Sequence, residues 1–192
     1  MESFLFIGSH PVTDFANTQF TPSGEVKELL NTYEDILVWF QKAGLEIPKE
    51  KISETSRQYY FEEILAYREV IKQSFHKFTT SQKPMKTLMQ TTNTILQKGD
   101  VSPEISLTEE GYTLSLIPKA TSCNQLLVRL AIETARLLDG TQLSHLKKCG
   151  NHTCSLFFID TSKNHSRRWC SMEVCGNRHK VNTFQKRKKS EN

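Results

Sequence analysis

The sequence has no long hydrophobic run and no recognisable export signal. No apolar stretch approaches the roughly 20 residues that a helix needs to cross a bilayer. The segment Met1–Gly8 has no basic region and carries an early acid, Glu2, which is not typical of a secretory signal. We therefore expect a cytoplasmic protein with no membrane partner.

The usual signatures of an enzyme are also missing. The sequence contains no phosphate-binding glycine loop, no nucleophile motif and no cluster of carboxylates. His165 next to Asn164, and His179 near Asn177, leave a nuclease as an alternative, since some zinc modules support a His/Asn active site. We expect that the protein is not an enzyme.

Acidic residues are scarce in the C-terminal part of the chain. Residues 141–192 contain 11 Lys and Arg and 3 Asp and Glu, a net charge of +8, whereas residues 1–140 contain 14 and 18, a net charge of −4. The two values add to the +4 of the whole chain. This division suggests a body that folds or senses and a basic part that contacts polyanions.

The hydrophobic residues that are present indicate a folded chain. Of the 192 residues, 37% are hydrophobic, which is enough for one domain of ordinary size and a small appendage without disulfides. Four segments have helical spacing, and one between the third and fourth alternates as a β-hairpin does. The helices are predicted between Thr32 and Gly44, from Ser53 to Phe78, between Pro84 and Gly99 and from Ser122 to Asp139, with the hairpin over Ile105–Leu116.

The N-terminal residues carry weaker signals. Phe4–Ile7 is a short apolar run that could be an edge strand or an N-terminal anchor, and Asp14–Thr18 could form a short helical turn.

Four cysteines form two close pairs. Cys149 and Cys154 are separated by four residues, as are Cys170 and Cys175, and fifteen residues lie between the pairs. Two pairs of soft thiolate donors suit the tetrahedral preference of Zn²⁺, and in a reducing cytosol such clusters are more often metal ligands than disulfides. We predict one structural Zn²⁺ held by all four cysteines, with no open position for water. The alternative ligands are His152, His165 and His179, and Cys123 has no partner in sequence.

The residues around the cysteines predict a small zinc module over residues 141–192. Leu156–Ile159 has the character of a strand, and Ser171 is a good N-cap for a helix that continues toward Phe184. A knuckle, a strand and a ligand-bearing helix suggest a treble-clef-like or zinc-ribbon-like module, with Trp169 and Phe157 packed over the metal. The expected fold class is α+β, with a mainly helical domain over residues 1–140 before this module.

Several motifs resemble those of known families. Cys149 and Cys154, Phe157-x2-Asp160-x-Ser162-Lys163-Asn164, Ser166-Arg167-Arg168-Trp169-Cys170-Ser171-Met172 and Cys175-Gly176-Asn177-Arg178 resemble the CGNR zinc-finger family, which the last motif names. Asp14-x2-Asn17-Thr18, Gly44-Leu45 and Arg68-Glu69 resemble the ABATE domain that usually precedes this finger. The resemblance implies a bacterial, stress-related transcription regulator whose finger binds DNA.

Basic residues around the zinc module are the candidate contacts for nucleic acid. Arginine forks suit phosphates and guanine edges, while a lysine-rich end suits phosphate tracking without sequence readout. One arginine of the Arg167-Arg168 pair could instead be structural and donate to backbone carbonyls or a sulfur. The candidates are Lys163, Arg167, Arg168, Arg178, Lys180, Lys186, Arg187 and Lys188, followed by Lys189.

These features favour a transcription regulator that binds double-stranded DNA, with an N-terminal domain that senses a signal or forms a homodimer. An RNA-binding accessory protein and a protein-interaction adaptor are the alternatives. In the N-terminal domain, Asp14 and Arg68 could form a buried ion pair with Asn17 as a cap, or these residues could line a ligand pocket between helices.

Overall fold

The structure is a computed structural model that describes residues 4–22, 24–48, 52–109, 111–120 and 124–190; in the last helix, the side chains of residues 182–184, 186, 187, 189 and 190 lie outside the described part. The helices are α1 (Pro11–Ala16), α2 (Tyr33–Lys42), α3 (Glu54–Ser81), α4 (Lys86–Lys98), α5 (Gln125–Asp139) and α6 (Asn177–Ser190). The strands are β1 (Gln19–Phe20), β2 (Lys27–Glu28), β3 (Val101–Thr108), β4 (Gly111–Pro118), β5 (Leu146–Lys148) and β6 (Phe157–Ile159). The described residues also form a 3-10 helix, Thr141–His145, and a π-helix, Met172–Gly176.

The chain forms two compact units. The first unit contains the described residues up to Leu30 together with those from Thr141 onward, and the second unit is Asn31–Gly140. The division expected from the sequence was 1–140 and 141–192. The second unit does end at residue 140, but the N-terminal residues join the zinc module, because their hydrogen bonds and apolar side chains are directed to it.

Local signals start and stop the helices of the second unit. Thr32 and Asp35 form a capping box at α2: the Asp35 amide donates to Thr32 Oγ1 at 3.2 Å and the Thr32 amide to Asp35 Oδ2 at 2.9 Å. Asn124 caps α5 by accepting from the Leu127 amide at 3.3 Å. Gln82 ends α3 in the left-handed conformation, with φ of 55°. The four helices predicted for this part of the chain are all present.

The core of the second unit is built from the apolar stripes of its helices. Tyr67 Oη lies 2.8 Å from Thr92 Oγ1, so α3 and α4 also share a buried hydrogen bond. The spacing of three and four residues that predicted the helices also predicted these stripes. The side chains that are almost completely buried include Ile36, Trp39, Phe40, Ile64, Ile71, Phe75, Leu88, Leu126, Leu130 and Leu137.

The predicted hairpin is formed by β3 and β4. The strands are antiparallel and their register runs from Val101 opposite Pro118 to Thr108 opposite Gly111. With the helices and the zinc module, this hairpin confirms the α+β class. Among the described residues, no helix combines the length and the apolar character that a membrane span requires.

The first unit surrounds the cysteines with short elements. β5 pairs antiparallel with β6, with Lys147 opposite Phe158, and β1 pairs with β2. Residues 4–7 form no strand; Leu5 and Ile7 pack against the cysteine cluster, which agrees with the interpretation of this run as an anchor. Cys123, which the sequence left without a partner, lies outside the described residues.

Candidate metal centre

The first cysteine pair is held by the turn between β5 and β6. The Cys149 amide donates to the Leu156 carbonyl at 2.8 Å, and the Cys154 amide donates to the Asn151 carbonyl at 2.9 Å. The buried Asn151 side chain also accepts from the Thr153 amide at 3.1 Å. These bonds curl the chain into a knuckle, so that both thiols point to the same side.

The second pair brackets the start of the π-helix that leads into α6. Ser171 caps the π-helix, since its hydroxyl accepts from the Val174 amide at 3.4 Å and its carbonyl accepts from the Cys175 and Gly176 amides at 3.1 Å. A side chain at Gly176 would require Met172 to move, since an added Cβ would lie 2.5 Å from the Met172 sulfur and 3.2 Å from Trp169 Cδ1. Cys170 precedes the π-helix and Cys175 lies in it, which agrees with the treble-clef-like alternative, because a zinc ribbon takes both pairs from hairpins.

The four sulfurs form a compact cluster. Their Sγ atoms lie within 4.8 Å of one another, with 3.9 Å between Cys154 and Cys170 and 3.6 Å between Cys170 and Cys175. Four thiolates at about 2.3 Å from a tetrahedral Zn²⁺ would be about 3.8 Å apart. Each cysteine is at most 5% exposed. The donor set and its spacing therefore fit one structural zinc ion.

The thiols perturb one another strongly. Hydrogen bonds with Cys149 raise the pKa of Cys154 to about 12 and also raise the pKa of Cys170, while hydrogen bonds from Cys154 and Cys170 lower the pKa of Cys149 to about 2. Sulfurs this close share protons. A divalent cation stabilises thiolates, so zinc binding would displace those protons.

Aromatic and aliphatic side chains cover the sulfurs. Leu156 and Phe158 form one buried cluster with the cysteines, and Phe20 and Trp169 pack against it. Trp169 was expected in this place. The other aromatic expected there, Phe157, is buried but outside the cluster, and Phe158 takes its position because alternate residues of β6 face opposite sides.

The N-terminal segment is hydrogen-bonded to the zinc module. The Asn17 side chain donates to the Phe157 carbonyl at 2.8 Å and accepts from the Phe157 amide at 2.9 Å. The Ile159 amide donates to the Gly8 carbonyl at 2.8 Å, and the Thr21 amide to Ser155 Oγ at 2.7 Å. Hydrogen bonds thus join residues that are about 140 positions apart in the chain. Asn17, which makes two of these bonds, is only 2% exposed.

Two protein-family models match the chain over almost its whole length. Residues 9–141 match the ABATE family, described as "Putative stress-induced transcription regulator", and residues 145–188 match the CGNR zinc finger. The chain belongs to the ABATE family. It carries a CGNR finger at its C-terminal end, as the sequence motifs suggested. No curated protein matches the chain.

The motif that names the CGNR finger shapes the finger itself. Cys175 supplies a sulfur, and Gly176 leaves room for Met172 and Trp169. The Asn177 side chain donates to the Glu173 carbonyl at 3.0 Å, and Arg178 Nη1 donates to the Pro22 carbonyl. All four motif residues therefore have a contact inside the first unit, which we also call the finger unit.

Asp160 organises the loop that leads from β6 to Cys170. Its completely buried carboxylate accepts from Lys147 Nζ at 2.7 Å, Ser162 Oγ at 2.6 Å and the Arg167 amide at 2.9 Å. Burial by itself would raise the pKa of Asp160, but these hydrogen bonds outweigh it and hold the pKa below the ordinary aspartate value. The role of Lys147 was missed from the sequence, where it is one basic residue among many.

The histidines proposed as alternative ligands have other neighbours. His165 has φ of 46°, its Nδ1 lies 2.8 Å from the Asp160 carbonyl, and its ring stacks on His145 with 3.6 Å between centroids. The His179 ring lies 4.7 Å from Trp169, and His152 is exposed. Within the described residues, the metal-binding cluster consists of the four cysteines.

Arg167 is directed into the finger. Its Nε donates to the Trp169 carbonyl at 2.9 Å, its Nη2 donates to the carbonyls of Ile7, at 3.2 Å, and Cys170, and its guanidinium lies 4.4 Å from the centroid of the Phe158 ring. These contacts fix the loop that ends at Cys170. Arg167 thus takes the structural role that the sequence offered for one arginine of the pair, and its contact with nucleic acid stays a prediction.

The remaining cations differ in how far they reach solvent. Arg168 is exposed, with its guanidinium 5.2 Å from the Trp169 ring, and Arg178 is half-buried by its bond to Pro22. Lys163, Lys180 and Lys188 are exposed. The side chains of Lys186, Arg187 and Lys189 lie outside the described part, so their role stays a prediction.

The two N-terminal residues thought to form an ion pair lie in different units. The Asp14 carboxylate accepts from the Gly8 amide at 2.7 Å in the first unit. In the second unit, Arg68 Nε lies 3.7 Å from Glu69 Oε1. The Asp14–Arg68 pair stays a prediction.

Proposed function

We propose that this protein regulates transcription by binding double-stranded DNA through its CGNR finger, while the N-terminal domain senses a signal or forms a homodimer. The family supports the regulatory role. The observation that carries DNA binding is the set of exposed cations on the finger unit, Lys163, Arg168, Lys180 and Lys188, beside a rigid metal centre. Exposed cations of this kind neutralise phosphates and release counterions.

The chemistry of the metal centre supports a structural role for zinc. Four thiolate donors complete a tetrahedral shell and leave no position for a reactive water, unlike catalytic sites with three protein ligands. The sulfurs are also buried beneath Leu156, Phe158 and Trp169. We also propose that the protein is not an enzyme and that it acts in the cytoplasm.

Arg168 is the residue that we propose for the most direct DNA contact. It is exposed and follows Arg167, whose own guanidinium is bound to three carbonyls. Its position over Trp169 limits the directions that the guanidinium samples, which favours a defined contact with a phosphate or a guanine edge.

The test begins with selection of bound sequences from a random duplex pool by the zinc-loaded protein, with zinc-stripped protein as the control. We expect enriched sequences for the zinc-loaded protein only. Affinity for an enriched duplex should fall linearly with the logarithm of salt concentration. The matching RNA duplex at equal salt shows whether the finger prefers RNA, which would contradict the proposal.

The variant Arg168→Ala should bind the enriched duplex about tenfold more weakly and reduce the salt slope by about 1. The matched control is Arg136→Ala, which removes the same charge from an arginine that is 51% exposed in the second unit and pairs with Glu133. If both variants bound DNA as wild type does, the proposed role of Arg168 would be wrong.

A further inference from the structure

One face of the β3–β4 hairpin carries only apolar side chains. Residues paired directly across an antiparallel ladder point to the same face of the sheet. The register places the odd residues of β3 opposite the even residues of β4, so the following eight share one face: Val101, Pro103, Ile105, Leu107, Tyr112, Leu114, Leu116 and Pro118. The opposite face is mostly polar, with Ser106 opposite Thr113 and Glu104 opposite Ser115.

The outer half of this face is open to solvent. Ile105 is 71% exposed, Leu107 74%, Tyr112 84% and Leu114 62%. We call these four residues the apolar hairpin face. At about 100 Å² for each side chain, the face presents on the order of 400 Å², which is the size of apolar patch that marks an interaction site on soluble proteins.

The charges near this face restrict what it can bind. None of its four residues is charged, and the acidic residues of the hairpin include Glu104 and Glu109. Nucleic acids and anionic membranes require cations at the contact, so neither suits this face. An apolar protein surface does suit it.

We propose that the apolar hairpin face binds the same face of a second copy of this chain. Ile105 lies opposite Leu114, and Leu107 lies opposite Tyr112, so the face consists of two adjacent apolar pairs. A two-fold axis parallel to the sheet brings these pairs against their own copies, and every contact is then apolar on both sides. A second copy of this chain therefore presents a matching apolar surface to these four side chains, and no other partner is needed to cover them.

The area of the face sets the expected strength of the dimer. A stable interface buries about 800 Å² on each partner, and the apolar hairpin face supplies about half of that. The dimer should therefore form and dissociate with protein concentration, instead of being obligate. This inference deepens the homodimer proposed above by naming its surface, and it does not depend on DNA binding.

The test is sedimentation velocity of the full-length, zinc-loaded protein over a wide range of concentrations. Wild type should form dimers as concentration rises. The double variant Ile105→Lys/Leu114→Lys should raise the dimer dissociation constant at least about tenfold. The matched control Ser106→Lys/Thr113→Lys places the same charges on the neighbouring cross-strand pair, which is exposed on the opposite face, and should dimerise as wild type does.

The other outcomes contradict the proposal. A wild type that stays monomeric at every concentration, or that binds zwitterionic lipid vesicles through these residues instead, would exclude the second copy as the occupant. Equal loss of dimer in both variants would exclude the apolar face as the interface. High salt separates this proposal from the DNA proposal, because it weakens DNA binding but not an apolar interface.

Discussion

Arg167 and Arg168 are adjacent in the chain but have different surroundings. Arg167 donates to carbonyls of Ile7, Trp169 and Cys170, whereas Arg168 extends over the Trp169 ring into solvent. Loss of DNA binding in an Arg167 variant would therefore report damage to the finger as readily as loss of a DNA contact. Only Arg168 allows the two effects to be separated.

Asp14 makes the stability of the first unit depend on pH. Burial raises the pKa of Asp14 to about 6, although hydrogen bonds from the Gly8 and Ile7 backbone lower it in part. Since this pKa is above the unfolded value of 3.8, protonation favours the folded state. The contribution is fully present below the unfolded pKa and is lost as the pH rises through about 6.

Replacing Asp14 by Asn tests this directly. Asp14→Asn keeps an oxygen that can accept from the Gly8 amide, and it removes the buried charge. We expect the variant to unfold at a higher temperature than wild type at about pH 8, and the difference to shrink toward about pH 5. Thermal unfolding of both proteins across this range measures it. A difference that does not change with pH would show that Asp14 does not titrate as described.

At the scale of elements, sequence patterns predicted the helices and the hairpin, because these depend on interactions between residues that are close in the chain. The capped helices α2 and α5, the long helix α3 and the β3–β4 hairpin all follow from spacing, caps and turn residues within each segment. The cysteine spacing likewise predicted the metal ligands. These features need no knowledge of distant parts of the chain.

The packing of the N-terminal segment on the zinc module could not be predicted in this way. Asn17 and Phe157 are 140 positions apart, and no periodicity near either residue indicates that they meet. The same holds for the bond from Arg167 to Ile7, which decides that this arginine is structural. Such contacts come from tertiary packing, so charge and motif alone left Arg167 and Arg168 equivalent.

The N-terminal segment should stabilise the zinc module through Asn17. Asn17→Ala removes two buried hydrogen bonds, one to the carbonyl and one from the amide of Phe157. Loss of these two bonds should lower the free energy of unfolding of the first unit by about 2–4 kcal/mol. Denaturant unfolding and the rate of zinc loss to a chelator measure the effect.

Asn93→Ala is the matched control for this prediction, because Asn93 is exposed on α4 in the second unit. It should leave both measurements close to wild type. If Asn17→Ala released zinc no faster than this control, the N-terminal segment would be attached to the module without supporting it.

At the scale of the whole molecule, charge separates the two units. Residues 1–30 and 141–192 together contain 12 Lys and Arg and 7 Asp and Glu, a net charge of +5, whereas residues 31–140 contain 13 and 14, a net charge of −1. The positive unit is the one that zinc organises. A polyanion should therefore be attracted to the first unit, which contains the finger, and not to the second unit, which contains the exposed hairpin.

Zinc removal should unfold one unit and leave the other folded. The chain has two tryptophans, and each reports on a different unit: Trp39 is completely buried in the second, and Trp169 packs against the cysteines in the first. Zinc contributes on the order of 10 kcal/mol to folding in modules of this kind, more than the small first unit can lose. The second unit has its own core and helices of 10, 28, 13 and 15 residues.

A chelator titration of Trp39→Phe and Trp169→Phe variants separates these responses. In Trp39→Phe, the tryptophan fluorescence comes from Trp169. Its emission should shift to longer wavelength as the metal leaves, because the ring becomes exposed to water. In the second, emission comes from Trp39 and should stay constant, while far-UV circular dichroism keeps most of its helical signal. A shift of Trp39 in step with Trp169 would mean that the units unfold together, and the metal would then stabilise the whole chain instead of the finger unit alone.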